Sequence, residues 1–177
     1  MRIPAATAFA LAMAATPAFA QDSGGTEKKF DGPYAAVIGG IEESGTSSFG
    51  NEGAFAGGAI GYDRQAGNLV FGVDGEITAS TTERCTGNFC DKSSRDLYAG
   101  GRIGYVVGGR TLLYAKGGYT NARIAGALGP DLDGMRVGGG VEQNVGGRAF
   151  VRAEYRYSDY SRDGHKQQGT VGVGLRF

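Results

Sequence analysis

The chain has 177 residues, which suits a single domain, and its 18 basic and 18 acidic residues give a formal net charge of zero. A neutral chain argues against a nucleic-acid partner, whose phosphates a protein must neutralise. Glycine is very frequent, at 34 residues. Because these glycines lie within alternating Tyr, Val, Ile and Leu patterns, the composition indicates β-strands rather than low complexity.

The amino-terminal segment has the pattern of a secretory signal peptide. Arg2 precedes an Ala-rich apolar run, and residues 18–20 (Ala-Phe-Ala) form an A-x-A cleavage site. The apolar run is shorter than the ~20 residues that a helical membrane span requires. We therefore predict a signal peptide over residues 1–20, a flexible periplasmic leader over 21–30 and a barrel domain over 31–177.

A hairpin unit recurs along the barrel segment. The run GGAIGY ending at Tyr62 is echoed by GGRIGY ending at Tyr105, and more loosely by GGGVEQ ending at Gln143. A tight turn that contains glycine follows each run, and a returning strand follows each turn. This repeat, with a period of roughly 40 residues, predicts successive β-hairpins. The register of the first hairpin stays open by about one residue.

Eight strands and two kinds of connection follow from the alternation of apolar residues. The predicted strands are residues 33–42, 54–64, 69–81, 96–106, 111–122, 134–144, 149–159 and 168–177. The tight turns are 65–68, 107–110 and 145–148, and the longer polar loops lie near 43–53, 82–95, 123–133 and 160–167. Short turns at one end and longer loops at the other are typical of bacterial outer-membrane barrels.

One face of the strands is free of charge. In the third strand, for example, Leu69, Phe71 and Val73 alternate with the face that carries Asp74 and Glu76. An outward Arg or Lys near the bilayer midplane would cost about 2–4 kcal/mol, and this pattern avoids that cost. We predict an all-β fold: an eight-stranded antiparallel up-and-down transmembrane β-barrel with short periplasmic turns and longer extracellular loops.

The opposite face would point charged residues into the barrel. These residues are Asp74, Glu76, Arg102, Lys116, Arg136, Glu142, Arg152, Glu154, Arg156 and Arg176. Buried charges must be paired, and we predict a mid-barrel ion-pair network of Glu76, Arg102, Lys116 and Glu154. Two interpretations stay open: a gate on a narrow water path, or a polar plug that holds the barrel together.

Other reactive side chains are few. Cys85 and Cys90 lie in the second long loop, and export through an oxidising compartment predicts a disulfide between them. His165 is the only histidine, and Ser158, Ser161 and Asp163 are near it in sequence. The surrounding composition is that of a solvated loop without a nucleophile motif. We expect no catalytic residues, no metal site and no cofactor.

Three segments carry a family resemblance. Residues 151–160 (VRAEYRYSDY), residues 110–119 (RTLLYAKGGY) and the last strand ending at Phe177 resemble the porin-family or OmpA-like outer-membrane β-barrel proteins of Gram-negative bacteria. The likeness covers residues 31 to 177. It implies an outer-membrane location, contact with outer-membrane lipid and lipopolysaccharide, and recognition of Phe177 by the barrel-assembly machinery. We expect no periplasmic peptidoglycan-binding domain, and in this the chain would depart from OmpA proper.

Three functions follow from this resemblance and from the residue pattern. The first expectation is a non-enzymatic, monomeric integral outer-membrane protein with a surface or envelope-integrity role. The alternatives are a narrow porin-like channel for small solutes, and an adhesin or ligand receptor that acts through its extracellular loops. Single-channel conductance distinguishes the channel from the first expectation, and a binding assay with exchanged loops distinguishes the adhesin.

Overall fold

The protein is described by a computed structural model that covers residues 29–46, 49–80, 84–86, 89–91, 94–124, 131–160 and 164–177. Within these residues the chain forms ten β-strands. They are β1 (Gly32–Thr46), β2 (Phe49–Ala66), β3 (Leu69–Ser80), β4 (Arg84–Thr86), β5 (Phe89–Asp91), β6 (Ser94–Val107), β7 (Thr111–Ile124), β8 (Asp131–Gly146), β9 (Ala149–Tyr160) and β10 (Gly164–Arg176). Among the described residues, no helix is long and apolar enough to cross a bilayer.

Eight of these strands form a closed antiparallel barrel. Their order around the barrel is β1-β10-β9-β8-β7-β6-β3-β2. The first and last strands close it, with pairs that run from Tyr34 opposite Arg176 to Gly45 opposite His165. The predicted eight-stranded up-and-down barrel is therefore confirmed, including the pairing of its first and last strands. Closure leaves no barrel strand with an unpaired backbone edge.

The strands are longer than the sequence predicts at the end opposite the tight turns, which we call the loop end. The predicted loop 43–53 is wrong, because β1 and β2 pair as far as Thr46 and Phe49. Strands β7, β8 and β10 likewise extend into the predicted loops 123–133 and 160–167. Polar residues on both faces hide the period of two there, although they do not prevent strand pairing.

The segment between β3 and β6 is not a simple loop either. Strands β4 and β5 form a separate two-stranded sheet within the predicted loop 82–95. The register places Cys85 directly opposite Cys90. Their side chains lie outside the described part of the structure, so the disulfide stays a prediction.

Tight turns connect the strands at the other end, which we call the short-turn end. Ala66 pairs with Leu69, so the first turn contains only Gly67 and Asn68, and this settles the register that the repeat leaves open. The second turn needs Gly108 and Gly109, whose φ angles of 61° and 69° lie in the left-handed region that favours glycine.

The outward face of the barrel is apolar, as predicted. Val73 is 63% exposed, and Leu113 and Val151 also point outward, while Lys116 and Glu154 are buried in the lumen. A soluble protein rarely exposes so continuous an apolar surface. The face assignments made from the alternating pattern are therefore confirmed for the outward Val73 and for the inward Lys116 and Glu154.

Glycines on the inward face make room for large side chains. A Cβ atom added to Gly61 would lie 2.5 Å from the Tyr34 ring, and one added to Gly174 would lie 2.3 Å from the Phe150 ring. Both distances are far below van der Waals contact. Much of the glycine content therefore reflects lumen volume that aromatic and charged side chains fill instead.

The structure also places the end of the predicted leader inside the barrel. The sequence predicts a flexible segment up to residue 30, whereas the Phe30 side chain is only 1% exposed. It packs with Val70, Val106, Leu112 and Tyr114 in an apolar cluster at the short-turn end, and we call this cluster the apolar floor. The ordered barrel therefore includes Phe30.

The outward face gives a first prediction. Val73→Arg should lower the free energy of unfolding by about 2–4 kcal/mol, because it puts a charge against the middle of the hydrocarbon layer. Val145→Arg is the matched control, since Val145 is similarly exposed (58%) but lies beside a turn; it should cost about 0–1 kcal/mol. Urea titration of the protein folded into lipid vesicles measures both values, and equal costs would contradict the facing.

Candidate functional site in the barrel interior

Among the residues that the structure describes, alternation along the strands places fourteen charged side chains in the lumen. The seven acids are Glu42, Asp63, Asp74, Glu76, Asp96, Glu142 and Glu154, and the seven bases are Arg102, Lys116, Arg136, Arg152, Arg156, Lys166 and Arg176. All are buried, so each loses most of its hydration on folding. Their shortest contacts divide them into three groups along the barrel axis, and a longer contact of 3.9 Å between Arg136 Nη1 and Glu76 Oε2 links two of these groups.

The group nearest the apolar floor is a closed ring of four residues, Asp63, Arg102, Glu142 and Arg176, which we call the four-residue ring. Arg102 donates to both carboxylate oxygens of Asp63, with Nε 2.8 Å from Oδ1, and its Nη1 is 3.2 Å from Glu142 Oε2. Arg176 completes the ring, with one Nη atom 2.7 Å from Asp63 and the other 2.7 Å from Glu142. Each arginine therefore bridges both carboxylates.

The middle group joins residues of three strands. Its members, which we call the six-residue cluster, are Asp74, Glu76, Lys116, Arg152, Glu154 and Arg156. Lys116 Nζ lies 2.8 Å from Asp74 and 2.7 Å from Glu76. Arg156 Nη2 bridges Glu76 at 2.9 Å and Glu154 at 2.6 Å. The two carboxylates from β3 and the one from β9 thus share cations that belong to β7 and β9.

Arg152 is held by charge more than by hydrogen bonds. Its Nη2 is 3.6 Å from Glu76 and its Nε is 3.7 Å from Glu154, beyond normal hydrogen-bond distances. Its guanidinium also lies 5.9 Å from the centre of the Tyr34 ring. The same ring contacts the guanidinium of Arg102 at 4.5 Å and that of Arg176 at 5.2 Å. Tyr34 therefore packs between the two lower groups as an aromatic partner for three cations.

The third group lies toward the loop end, and we call it the loop-end cluster: Glu42, Asp96, Arg136 and Lys166. Arg136 Nη2 is 2.6 Å from Asp96 Oδ2, and Lys166 Nζ is 2.7 Å from Glu42 Oε2. Lys166 also lies 3.8 Å from Asp96, which links the two pairs. The Gln168 amide donates to Glu42 at 3.1 Å.

Each of the three groups is electrically neutral. The ring has two acids and two bases, the six-residue cluster has three of each, and the loop-end cluster again has two of each. Burying an ion costs several kcal/mol, and only close, hydrogen-bonded pairing offsets that cost. Neutral groups also cancel the long-range field along the axis. The lumen is therefore a packed polar core in which each of these charges lies within 4.0 Å of an opposite charge.

The structure brings together three of the four residues that the sequence predicts as one network. Lys116 lies between Glu76 at 2.7 Å and Glu154 at 3.6 Å. Arg102 is also buried, but it belongs to the four-residue ring and contacts neither carboxylate. The prediction of a single group of four is wrong in that respect, while the gate role of these residues stays a prediction.

Four interior charges are absent from the predicted set: Glu42, Asp63, Asp96 and Lys166. The sequence could have assigned Asp63 to the lumen, because Asp63 lies on the face opposite Ile60 and Tyr62 along the second predicted strand. The other three lie at or beyond the predicted strand ends, where the alternation becomes unreadable. Their burial follows only once the strands are seen to extend toward the loop end.

The residues considered for catalysis lie on opposite sides of the barrel wall. Ser158 faces the lumen, where its hydroxyl accepts a hydrogen bond from Arg136 Nε at 2.8 Å. His165 is exposed on the outer surface of β10. Ser161 and Asp163 are outside the described residues. Within the part of the chain that the structure describes, no group of three His, Cys, Asp or Glu side chains could hold a metal ion.

Aromatic residues surround the short-turn end. Tyr62, Tyr105 and Phe177 all have outward, exposed side chains. Arg64 donates to the Tyr62 hydroxyl at 3.3 Å, and Asn68 donates to the Tyr105 hydroxyl at 3.3 Å. Rings with one apolar part and one hydrogen-bonded hydroxyl suit a membrane–water interface. Tyr62, Tyr105 and Phe177 therefore form an aromatic girdle at this end.

A closed eight-stranded barrel with an apolar outer face, an aromatic girdle and a charged, paired interior defines an integral outer-membrane protein. Residues 6–177 match the family described as "Outer membrane protein beta-barrel domain", and the chain belongs to this family. The protein is an OmpA-like eight-stranded barrel of the Gram-negative outer membrane.

Curated relatives and a solved structure agree. The chain is 28% identical over 134 residues to the 22 kDa outer membrane protein of Rhizobium leguminosarum bv. viciae, and 26% identical over 127 residues to the 25 kDa outer-membrane immunogenic protein of Brucella ovis. These alignments cover 66% and 69% of this chain but only 63% of each relative. Neisserial surface protein A has the same fold, with a TM-score of 0.62 at 18% identity over 83% of this chain and 98% of that one.

The four-residue ring gives the second prediction. Glu142→Gln should lower the free energy of unfolding by about 3–5 kcal/mol, because two arginines would then share one carboxylate in a buried site. Adding Arg176→Gln restores neutrality, so the double variant should cost less than the sum of the single changes. Urea titration in lipid vesicles measures the free energy of unfolding of the wild type, of the two single variants and of the double variant.

The matched control for this cycle is Asp31→Asn. Asp31 pairs with the exposed Arg64 at 4.0 Å, and such a surface pair is worth about 1 kcal/mol or less. If the losses in free energy of unfolding from Glu142→Gln and Arg176→Gln were strictly additive, the two residues would not be coupled, which would contradict the ring.

Proposed function

We propose that this protein is a non-enzymatic integral outer-membrane protein whose sealed barrel contributes to envelope integrity. The observation that carries the proposal is the stack of three neutral ion-pair groups. Every charged member of the stack has a side chain that is less than a tenth exposed. A barrel with a packed interior strengthens a membrane without adding a path through it.

Passage of a solute would have to disrupt this packing. A permeating ion would need to separate buried pairs, and breaking one such pair costs about 3–5 kcal/mol. Below the ring, Phe30, Val70 and Leu112 of the apolar floor offer no hydrogen-bonding side chain to replace the hydration of an ion. The interior of an eight-stranded barrel is also only just wide enough for its own side chains. These features favour a plug over a gate.

The outer surface supports the membrane part of the proposal. The apolar outward face fits the hydrocarbon layer, and the aromatic girdle fits the headgroup region. We propose outer-membrane lipid and lipopolysaccharide as its surroundings and a monomer as its working form. During biogenesis, Phe177 would be bound by the barrel-assembly machinery, in keeping with its exposed side chain (62%) at the end of β10.

A second candidate function is ligand or receptor binding at the loop end. Strands β1 and β2 stay paired up to Thr46 and Phe49, five residues beyond the outward Ile41. Hairpins that project past the apolar belt offer a surface to the exterior. Removal of the β4–β5 hairpin should then abolish binding to a host-cell surface, whereas unchanged binding would argue against this candidate.

Conductance gives the third prediction. In planar lipid bilayers the wild-type protein should show near-zero single-channel conductance, because the neutral groups occlude the lumen. The double variant Glu76→Gln/Glu154→Gln should stay non-conducting if the six-residue cluster is a plug, and it should conduct if the cluster is a gate.

The control for this test is the charge-balanced double variant Glu154→Gln/Arg156→Gln, which removes one acid and one base. Heat-modifiable migration in a detergent gel verifies that each variant is folded. Clear conductance steps in the folded wild type would refute the sealed barrel, whereas steps confined to the Glu76→Gln/Glu154→Gln protein would identify the six-residue cluster as a gate and refute the plug.

A further inference from the structure

The outer wall of the barrel is not uniformly filled. A groove of about 620 Å³ crosses the outward face of β1, β2, β3, β6 and β7. Small residues form its floor, because Gly75 is paired directly with Ala99. Larger residues flank this pair on the neighbouring strands: Ile60 pairs with Gly75, and Tyr119 pairs with Ala99. The groove therefore results from two adjacent small residues that lie between Ile60 and Tyr119.

The groove lies in the apolar belt and is open to the surroundings of the barrel. Its volume is within the range of about 300–1,000 Å³ that is usual for small-ligand sites. Lipid chains are as apolar as the wall, so the hydrophobic effect does not drive binding there. Close packing drives binding instead, because an unfilled groove loses the dispersion contacts that a fitted chain would make.

A positively charged side chain, that of Arg95, lies near the loop end of the groove. Leu97 lines the groove, and Arg95 is the next outward residue of β6, about 7 Å farther along the strand. Arg95 is exposed, and within the described residues no carboxylate forms an ion pair with it. Asp133, which pairs with Asn121 in the row of Leu97, already accepts hydrogen bonds from the Tyr119 hydroxyl and from Asn121 Nδ2.

We propose that this groove binds one acyl chain of a phosphorylated lipid in the leaflet nearer the loop end. The lipid phosphate then lies against the Arg95 guanidinium, and the chain lies over Gly75 and Ala99. An arginine fork matches a phosphate, and it is weakly hydrated enough to bind at an interface. The inference deepens the proposed envelope role and rests on it. Conductance does not involve this wall, so the two proposals can fail separately.

Because the protein has no tryptophan, a single introduced tryptophan reports on nearby lipid. Val73→Trp lies just below the groove, and Val137→Trp on β8 is a similarly exposed control outside it. Each protein is folded into phosphatidylcholine vesicles that contain either chain-brominated phosphatidic acid or chain-brominated phosphatidylcholine. Bromine quenches tryptophan on contact, so the ratio of quenching measures headgroup preference at each position.

At Val73→Trp, phosphatidic acid should be preferred by about fivefold, which is the effect of one arginine near a lipid phosphate. At Val137→Trp the two brominated lipids should quench the tryptophan about equally. In the Val73→Trp protein, adding Arg95→Gln or Gly75→Leu should remove the preference. The leucine fits the backbone, since a Cβ on Gly75 has its nearest neighbour, the Tyr98 carbonyl oxygen, at 3.7 Å.

Gly117→Leu is the matched control for the filled groove. Gly117 is an outward glycine of β7 that does not line the groove, and its Cβ would meet its nearest atom at 3.8 Å. This variant should retain the preference. Equal quenching at the two reporters overturns the proposal, as does a preference that survives both Arg95→Gln and Gly75→Leu. A crosslinked dimer that Gly75→Leu abolishes would also overturn it, since a second copy would then occupy the groove.

Discussion

Pairing of buried charges is the constraint on which the rest of this barrel depends. Within the described part of the chain its lumen holds seven carboxylates and seven cations, and an unpaired member of either set would cost several kcal/mol. The partners come from strands that are not neighbours: the four-residue ring joins β2, β6, β8 and β10. Glycine-rich strands specify their register weakly, and a slip of one residue would turn every charge toward lipid. The ion pairs therefore fix the register as well as fill the interior.

Glycine and charge have complementary roles in this interior. Inward glycines such as Gly61 and Gly174 leave the space into which the Tyr34 and Phe150 rings extend. Tyr34 in turn packs against the guanidinium groups of Arg102 and Arg176. The resulting interior is dense, polar and neutral at each level, with an apolar floor below it. The proposed envelope role follows from these properties, because such packing stabilises the barrel and leaves little room for a solute.

Much of the fold can be predicted from the sequence, because a period of two assigns each residue to one face of the wall. That rule correctly separates Leu113 and Val151 from Lys116 and Glu154. The period of two does not tell how far along the barrel axis residues of non-neighbouring strands lie. The prediction from the sequence therefore groups Arg102 with carboxylates that it does not contact. It also fails where both faces of a strand are polar, as at the loop end. The burial of Phe30 follows from the closed shape of the barrel mouth, which no local pattern contains.

The central claim is that the lumen is closed by direct ion pairs. Solid-state NMR on labelled protein in lipid bilayers tests it through nitrogen–carbon dipolar couplings between Lys116 Nζ and the carboxyl carbons of the acids around it. Contacts of 2.8 Å to Asp74 and 2.7 Å to Glu76 predict strong couplings to both carboxyl carbons, without rapid exchange with water at Nζ. Absent couplings together with strong water cross-peaks at Lys116 would mean a hydrated lumen and would contradict the account.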